Sequence, residues 1–156
     1  MARPARLLFG NTDRVPDLAY ATGMFVPDNF AWFQNPRGKT TVVLGPLEID
    51  RAKRTARVDR CLDLEETKKR LGVDRQPFPR VLAAILKSQG IRSAEVPASF
   101  PVGLFQELGK VGLRLKTVPE PFFPNRVRKS PLEIRHISQA LRAAEAGLQR
   151  GVDVLR

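Results

Sequence analysis

Apolar residues recur along this 156-residue chain with two different periods, and the change from one to the other marks out its elements. Short runs of β-branched, aromatic or aliphatic residues closed by Gly, Pro, Asn or Asp predict strands at 6–10, 30–34, 40–44, 57–62, 94–96 and 113–118. Between them, apolar positions three and four residues apart predict helices at 16–23, 46–56, 64–71, 79–89 and 101–108. Thr40-Thr41-Val42-Val43-Leu44 is the plainest β signal. The turn Asn35-Pro36-Arg37-Gly38 before it predicts an antiparallel hairpin with 30–34. Terminators agree with the periods: Gly23 closes the first helix, Asp63 and Gly72 bracket 64–71, and Gly90 ends 79–89. After the hairpin, strands and helices alternate, which is the pattern of a parallel sheet covered on both faces. The expected fold is an α/β domain of three layers (α/β/α) around a mixed, mainly parallel sheet, with one further helix at the C-terminal end.

That last helix has the strongest start signal in the chain. Ser130 can cap it, Pro131 suits its first position, and Glu133, three residues after the serine, completes a capping box. Ile134, Ile137, Leu141, Ala144 and Leu148 then form one stripe, while Arg135, Gln139, Arg142, Glu145 and Gln149 face elsewhere. Such a helix draws most of its stability from docking its apolar stripe. The pattern leaves open whether the stripe lies on the preceding domain, meets another chain or stays partly exposed. Residues 119–128, with Pro119, Pro121 and Pro124, read as a stiff connector leading into it.

Charge adds a second theme. With 27 Lys and Arg against 16 Asp and Glu, the formal charge is +11. Such an excess attracts polyanions if it is concentrated on one face. In sequence it is dispersed, with clusters at 51–57, 68–70 and 126–129, the first two preceded by Glu48 and Asp50 and by Glu65 and Glu66 as helix dipoles favour. No aromatic-basic signature, zinc-finger spacing or basic heptad array accompanies the clusters, so nucleic acid is not the expected partner. A free-standing binding or oligomerisation module with a polyanion partner is the alternative. No apolar run approaches the ~20 residues of a membrane span, and Met1-Ala2-Arg3 leads into a strand rather than a signal core. The expectation is a cytoplasmic protein with no membrane association. The single cysteine, Cys61, cannot form an internal disulfide.

Catalytic chemistry has little to work with. The only histidine, His136, lies in the final helix, far in sequence from Cys61, and no His-x-x-x-His or Cys-x-x-Cys spacing offers a metal site. Gly109-Lys110 lacks the rest of a phosphate loop, and no Gly-x-Ser-x-Gly elbow occurs. The acid pairs sit at helix starts, where capping and dipole roles account for them.

Three segments occur in a telling order: Pro16-Asp17-Leu18-Ala19-Tyr20-Ala21-Thr22-Gly23, Leu47-Glu48-Ile49-Asp50-Arg51-Ala52 and Arg126-Val127-Arg128-Lys129-Ser130-Pro131-Leu132-Glu133-Ile134. They resemble, respectively, the N-x-x-Y-L-T-G segment, the E-x-x-R-A helix and the R-x-x-K-S-x-x-E-I junction of the creatinase, prolidase and aminopeptidase P family. The resemblance implies a ribonuclease H-like N-terminal domain at 1–128, and at 129–156 the junction and first helix of an absent pita-bread catalytic domain. It implies that this chain is not itself an enzyme and holds no cofactor. In the family, two Asp, one His and two Glu bind two divalent metal ions (Mn, Co or Zn) in the catalytic domain and cleave bonds to proline, or hydrolyse creatine.

The N-terminal domain of such an Xaa-Pro aminopeptidase or dipeptidase is an accessory that supports homo-oligomers and walls off an active site. By resemblance, Tyr20, Phe25, Asn29, Phe30 and Trp32 contribute to that wall or to a subunit interface, although Phe30 and Trp32 also suit a strand core. Ser130, Glu133, Ile134, Ile137, Leu141 and Leu148 belong to the junction helix. Two departures stand out: Ala21 replaces the family's leucine, and the first strand begins almost at once where the family usually has a helix. The second departure predicts a sheet short of one covering helix, or apolar surface left for a partner.

Overall fold

The computed structural model describes residues 4–155, and the contacts between residues divide the chain after Phe122. The first unit runs β1 (Ala5–Gly10), α1 (Pro16–Thr22), β2 (Phe30–Gln34), β3 (Thr40–Leu44), α2 (Pro46–Thr55), β4 (Arg60–Asp63), α3 (Leu64–Leu71), α4 (Phe78–Ser88), β5 (Ser93–Pro97), α5 (Val102–Lys110) and β6 (Arg114–Val118). Its strands form one sheet in the order β4-β3-β2-β1-β5-β6. β2 pairs antiparallel with both β1 and β3, while the β3–β4, β1–β5 and β5–β6 pairs are parallel. Every strand except β2 therefore points the same way, giving the mixed, mainly parallel sheet that the alternating pattern predicts.

Register sorts the side chains to two faces. Leu7 opposite Phe33, Ala31 opposite Val43 and Val43 opposite Leu62 fall on one face, where they join Val81, Leu82, Ile85 and Leu86 of α4 in the main core. Leu8 opposite Trp32 and Trp32 opposite Val42 fall on the other, the side of α1 and α2, whose Leu18, Ile49 and Ala52 are buried. A buried Leu or Ile of this kind contributes about 1.5–3 kcal/mol through removal of its surface from water. Toward β6 that second face turns polar. Ser93 and Glu95 pair with Arg114 and Lys116, and Arg6 lies 3.9 Å from the ring centroid of Phe122 while donating to the Phe122 carbonyl. Apolar surface left over from a missing helix is thus not what the structure presents there. A polar strip crossed by the buried Phe122 takes its place.

Local signals explain most of the boundaries. Gly23 and Gly72 adopt left-handed conformations at the ends of α1 and α3, and the Asp63 carboxylate accepts the Glu66 N–H at 2.8 Å at the start of α3. The Asn35 side chain accepts the N–H groups of Arg37 (2.9 Å) and Lys39 (3.0 Å), closing the β2–β3 turn. The fourth strand differs from its pattern, beginning at Arg60 rather than at residue 57. The Arg57 N–H donates to the Thr22 carbonyl at 2.7 Å, and the Asp59 carboxylate turns to Lys39 and Thr40, both at 2.8 Å, so 57–59 bend before the strand can pair.

The second unit holds a short 3-10 turn (Pro124–Val127) and α6 (Pro131–Leu155). Its capping box is formed: the Ser130 N–H donates to Glu133 Oε2 at 2.8 Å, and the Glu133 N–H donates to Ser130 Oγ at 3.3 Å. None of the 25 residues of α6 is buried. Its apolar stripe is open, from Ile134 at 54% and Ile137 at 55% to Leu141 at 58% and Leu148 at 72% exposed.

Candidate functional site

Since five strands share a direction, the sheet has a carboxyl edge and an amino edge, and the loops at the carboxyl edge enclose a cavity. The chain leaves β1 for α1 on one face and leaves β5 for α5, whose Leu108 belongs to the core on the other. Neighbouring parallel strands whose connections diverge in this way open a crevice at their carboxyl ends, the usual place for ligands in open α/β sheets. A cavity of about 240 Å³ occupies it, lined by Gly10, Asn11, Arg14, Asn29, Ser99 and Pro101 above the ring of Phe9. Phe9 packs on Phe78 with ring centroids 5.1 Å apart, so the floor belongs to the core. Gly10 has φ +148°, and a side chain added there would run into Val15 Cγ2 at 2.6 Å, so glycine lets the strand turn tightly into this crevice.

A pinned loop presents the exposed members of the expected site. Thr12 Oγ1 donates to the Val26 carbonyl at 3.0 Å and accepts the Val26 N–H at 2.9 Å, and Arg51 Nη2 donates to the Phe25 carbonyl at 2.6 Å. With Met24 and Val26 buried on either side, alternation pushes the Phe25 ring outward, where it is 61% exposed. Arg51 is itself oriented by Glu48. Asn29 is exposed at the cavity and Tyr20 is half-buried on α1. Phe30 (3% exposed) and Trp32 (2%) are buried in β2, the strand-core placement that their type also suits. Asn11, Arg14 and Ser99 are the site residues that the sequence pattern did not single out. Their only signal was a polar turn directly after a strand.

The donor set that the resemblance assigns to a metal pair does not fit this chain. Among the described residues no three His, Cys, Asp or Glu side chains gather, His136 is exposed on α6, and Cys61 lies in β4 with burial raising its thiol pKa. Ordinary electrostatics account for the other clear shifts. Lys39 and Asp59 hold each other charged through their hydrogen bond, with Thr40 adding to the lowering at Asp59. Burial lowers the pKa of Arg6, against the opposing pull of Glu95 and Asp17. Among the described residues no helix is long and apolar enough to cross a membrane.

A three-layer α/β unit with one reversed strand and a bare C-terminal helix defines the structural class. No family model matches the chain and no curated protein matches it. Among solved structures, it is similar to the X-Pro aminopeptidase from Thermotoga maritima MSB8, with a TM-score of 0.75 at 15% identity over 98% of this chain and 41% of that one. The prolidase from Pyrococcus furiosus gives 0.70 at 12% identity over 96% and 39%, and the Xaa-Pro dipeptidase from Bacillus anthracis 0.69 at 13% over 98% and 39%. At such identities the likeness establishes a shared fold. The chain spans about two fifths of the length of these peptidases.

Proposed function

We propose that this chain is the non-catalytic N-terminal domain of an Xaa-Pro peptidase-like metalloprotein. The observation that carries the reading is the match of nearly the whole chain, α6 included, to about two fifths of several Xaa-Pro peptidase structures. The open stripe of α6 supports it, since a capped helix with Ile134, Ile137, Leu141 and Leu148 uncovered is suited to entering a second domain. In this reading the second domain carries the metal ligands and the chemistry. The first unit contributes its carboxyl edge, with Phe25, Asn29 and the cavity beside Arg14, to the wall of an active site or to a subunit contact, and the parent protein is a homo-oligomer.

Reading the gene beyond the codon for Arg156 tests this. The expected result is a continuing frame that supplies Asp, Asp, His, Glu and Glu as a metal set. A continuing frame without that set would overturn the proposal.

A further inference from the structure

The fold sorts the charge that the sequence disperses. At the amino edge of the sheet, where β1, β3, β4, β5 and β6 begin and β2 ends, stand Arg37, Lys39, Arg60, Lys87, Arg92 and Arg114, all exposed. Register places them at one edge of the sheet, on both of its faces: Lys39 just before β3, Arg60 opening β4 beside Thr41, and Arg114 opening β6 beside Ser93, with Arg92 one residue earlier. The Arg114 N–H donates to the Arg92 carbonyl at 3.0 Å, and Lys87 Nζ donates to the Val111 carbonyl at 2.6 Å, which ties the end of α4 to the same edge. Asp59 sits among them and is taken up by Lys39 at 2.8 Å. The carboxyl edge has the opposite sign, with Asp13, Asp28, Asp63, Glu65, Glu66 and Glu120 beside Arg14.

Helix dipoles explain part of the acidic edge, where Asp63, Glu65 and Glu66 cap and open α3. They do not explain the basic one. Of its six cations only Lys87 lies in the last turn of a helix; the others occupy a hairpin turn and the starts of strands, where nothing in the backbone calls for positive charge. The exposed large apolar side chains of this unit, Phe25, Leu47 and Val102, lie at the carboxyl edge. A protein interface builds its core from such groups, whereas the amino edge offers cations with Asp59 among them and no exposed large apolar side chain among the described residues. Six strands at ~4.8 Å spacing make that edge about 24 Å long, and a nucleic-acid duplex presents a phosphate charge every ~1.7 Å of its axis over the same distance.

We propose that the amino edge of the sheet binds the phosphate backbone of nucleic acid, without reading sequence, through Arg37, Arg60, Lys87, Arg92 and Arg114. The proposal does not rest on the peptidase reading and survives if that reading fails.

The test is fluorescence anisotropy of the full chain with a short labelled DNA duplex across a salt series. With five phosphate contacts, the log–log slope is about −4.5, so affinity falls about 500-fold between about 50 and about 200 mM salt. The triple variant Arg60→Gln, Arg92→Gln, Arg114→Gln reduces the slope by about 3, one for each cation removed. Removing the same charge from the connector, with Arg126→Gln, Arg128→Gln and Lys129→Gln, leaves the slope within about 1 of the parent. If the edge variant does not fold, Arg37→Gln with Lys87→Gln carries the test, with a reduction of about 2. The proposal is overturned if the chain does not bind at about 50 mM salt, if the connector variant loses as much as the edge variant, or if polyglutamate of equal charge displaces the duplex as well as unlabelled DNA does. The last result would assign the edge to an acidic protein partner.

Discussion

Helices α4 and α6 carry the same kind of apolar stripe and meet opposite fates. Val81, Leu82, Ile85 and Leu86 of α4 are sealed in the main core, while Ile134, Ile137, Leu141 and Leu148 of α6 are each more than half exposed. Both helices are amphipathic, so the difference does not lie in the pattern. A stripe specifies that a helix has a face to cover; the topology decides what covers it. For α4 the sheet supplies Leu7, Phe33, Val43 and Leu62. For α6 the described residues supply no burial, and the proposed second domain is what would.

The widest separation between the two helices is expected in truncation. Leu82→Ala should cost about 2–5 kcal/mol in urea unfolding, the range for emptying a core leucine, while Leu141→Ala should change stability by no more than about 0.5 kcal/mol. Equal costs would break the comparison and mean that α6 is docked. Glycines give the next contrast. Gly23 has φ +69°, and a side chain there would collide with the Arg57 guanidinium, so Gly23→Ala should destabilise the first unit by about 1 kcal/mol or more. Gly147 in α6 has nothing within 4 Å of an added Cβ, so Gly147→Ala should stabilise the helix by about 0.5–1 kcal/mol, seen as stronger helical circular dichroism.

Smaller still is the cap of α6. Ser130→Ala removes the acceptor of the Glu133 N–H and should cost the helix about 1 kcal/mol or less, read as faster hydrogen exchange in its first turns. The smallest expected effect is at Asp59, where Lys39 and Thr40 hold the carboxyl below its ordinary range. Because its folded pKa is depressed, its contribution is present above the unfolded value of about 3.9 and is lost as pH falls through the lower folded value. An NMR titration should show Asp59 protonating below the ordinary aspartate value of about 3.9. A midpoint at that ordinary value would mean that the contact with Lys39 and Thr40 is not made.

What the sequence made legible follows from range. The α4 stripe, the Asp63 and Gly72 brackets and the Ser130–Glu133 box depend on residues a few positions apart, and each could be read directly. The start of β4 could not be, because it is set by Arg57 bonding to Thr22, which lies at the end of α1, before β2, β3 and α2. Phe30 and Trp32 are the same lesson in reverse: their type allowed either a wall or a core, and only pairing with β1 and β3 consigned them to the core. The cavity was illegible for the same reason, since Asn11 and Ser99 meet only through the β1–β5 pairing. So was the sorting of charge to two edges, which no local cluster in the sequence foreshadows.

The proposed role, an accessory domain without chemistry of its own, meets its sharpest test in a turnover assay. The purified chain is incubated with an Xaa-Pro dipeptide and, in turn, Mn²⁺, Co²⁺ and Zn²⁺, and free proline is measured. No release above the metal-only control is expected at any protein concentration. Release that rises in proportion to protein, persists through further purification and is abolished by chelation would contradict it.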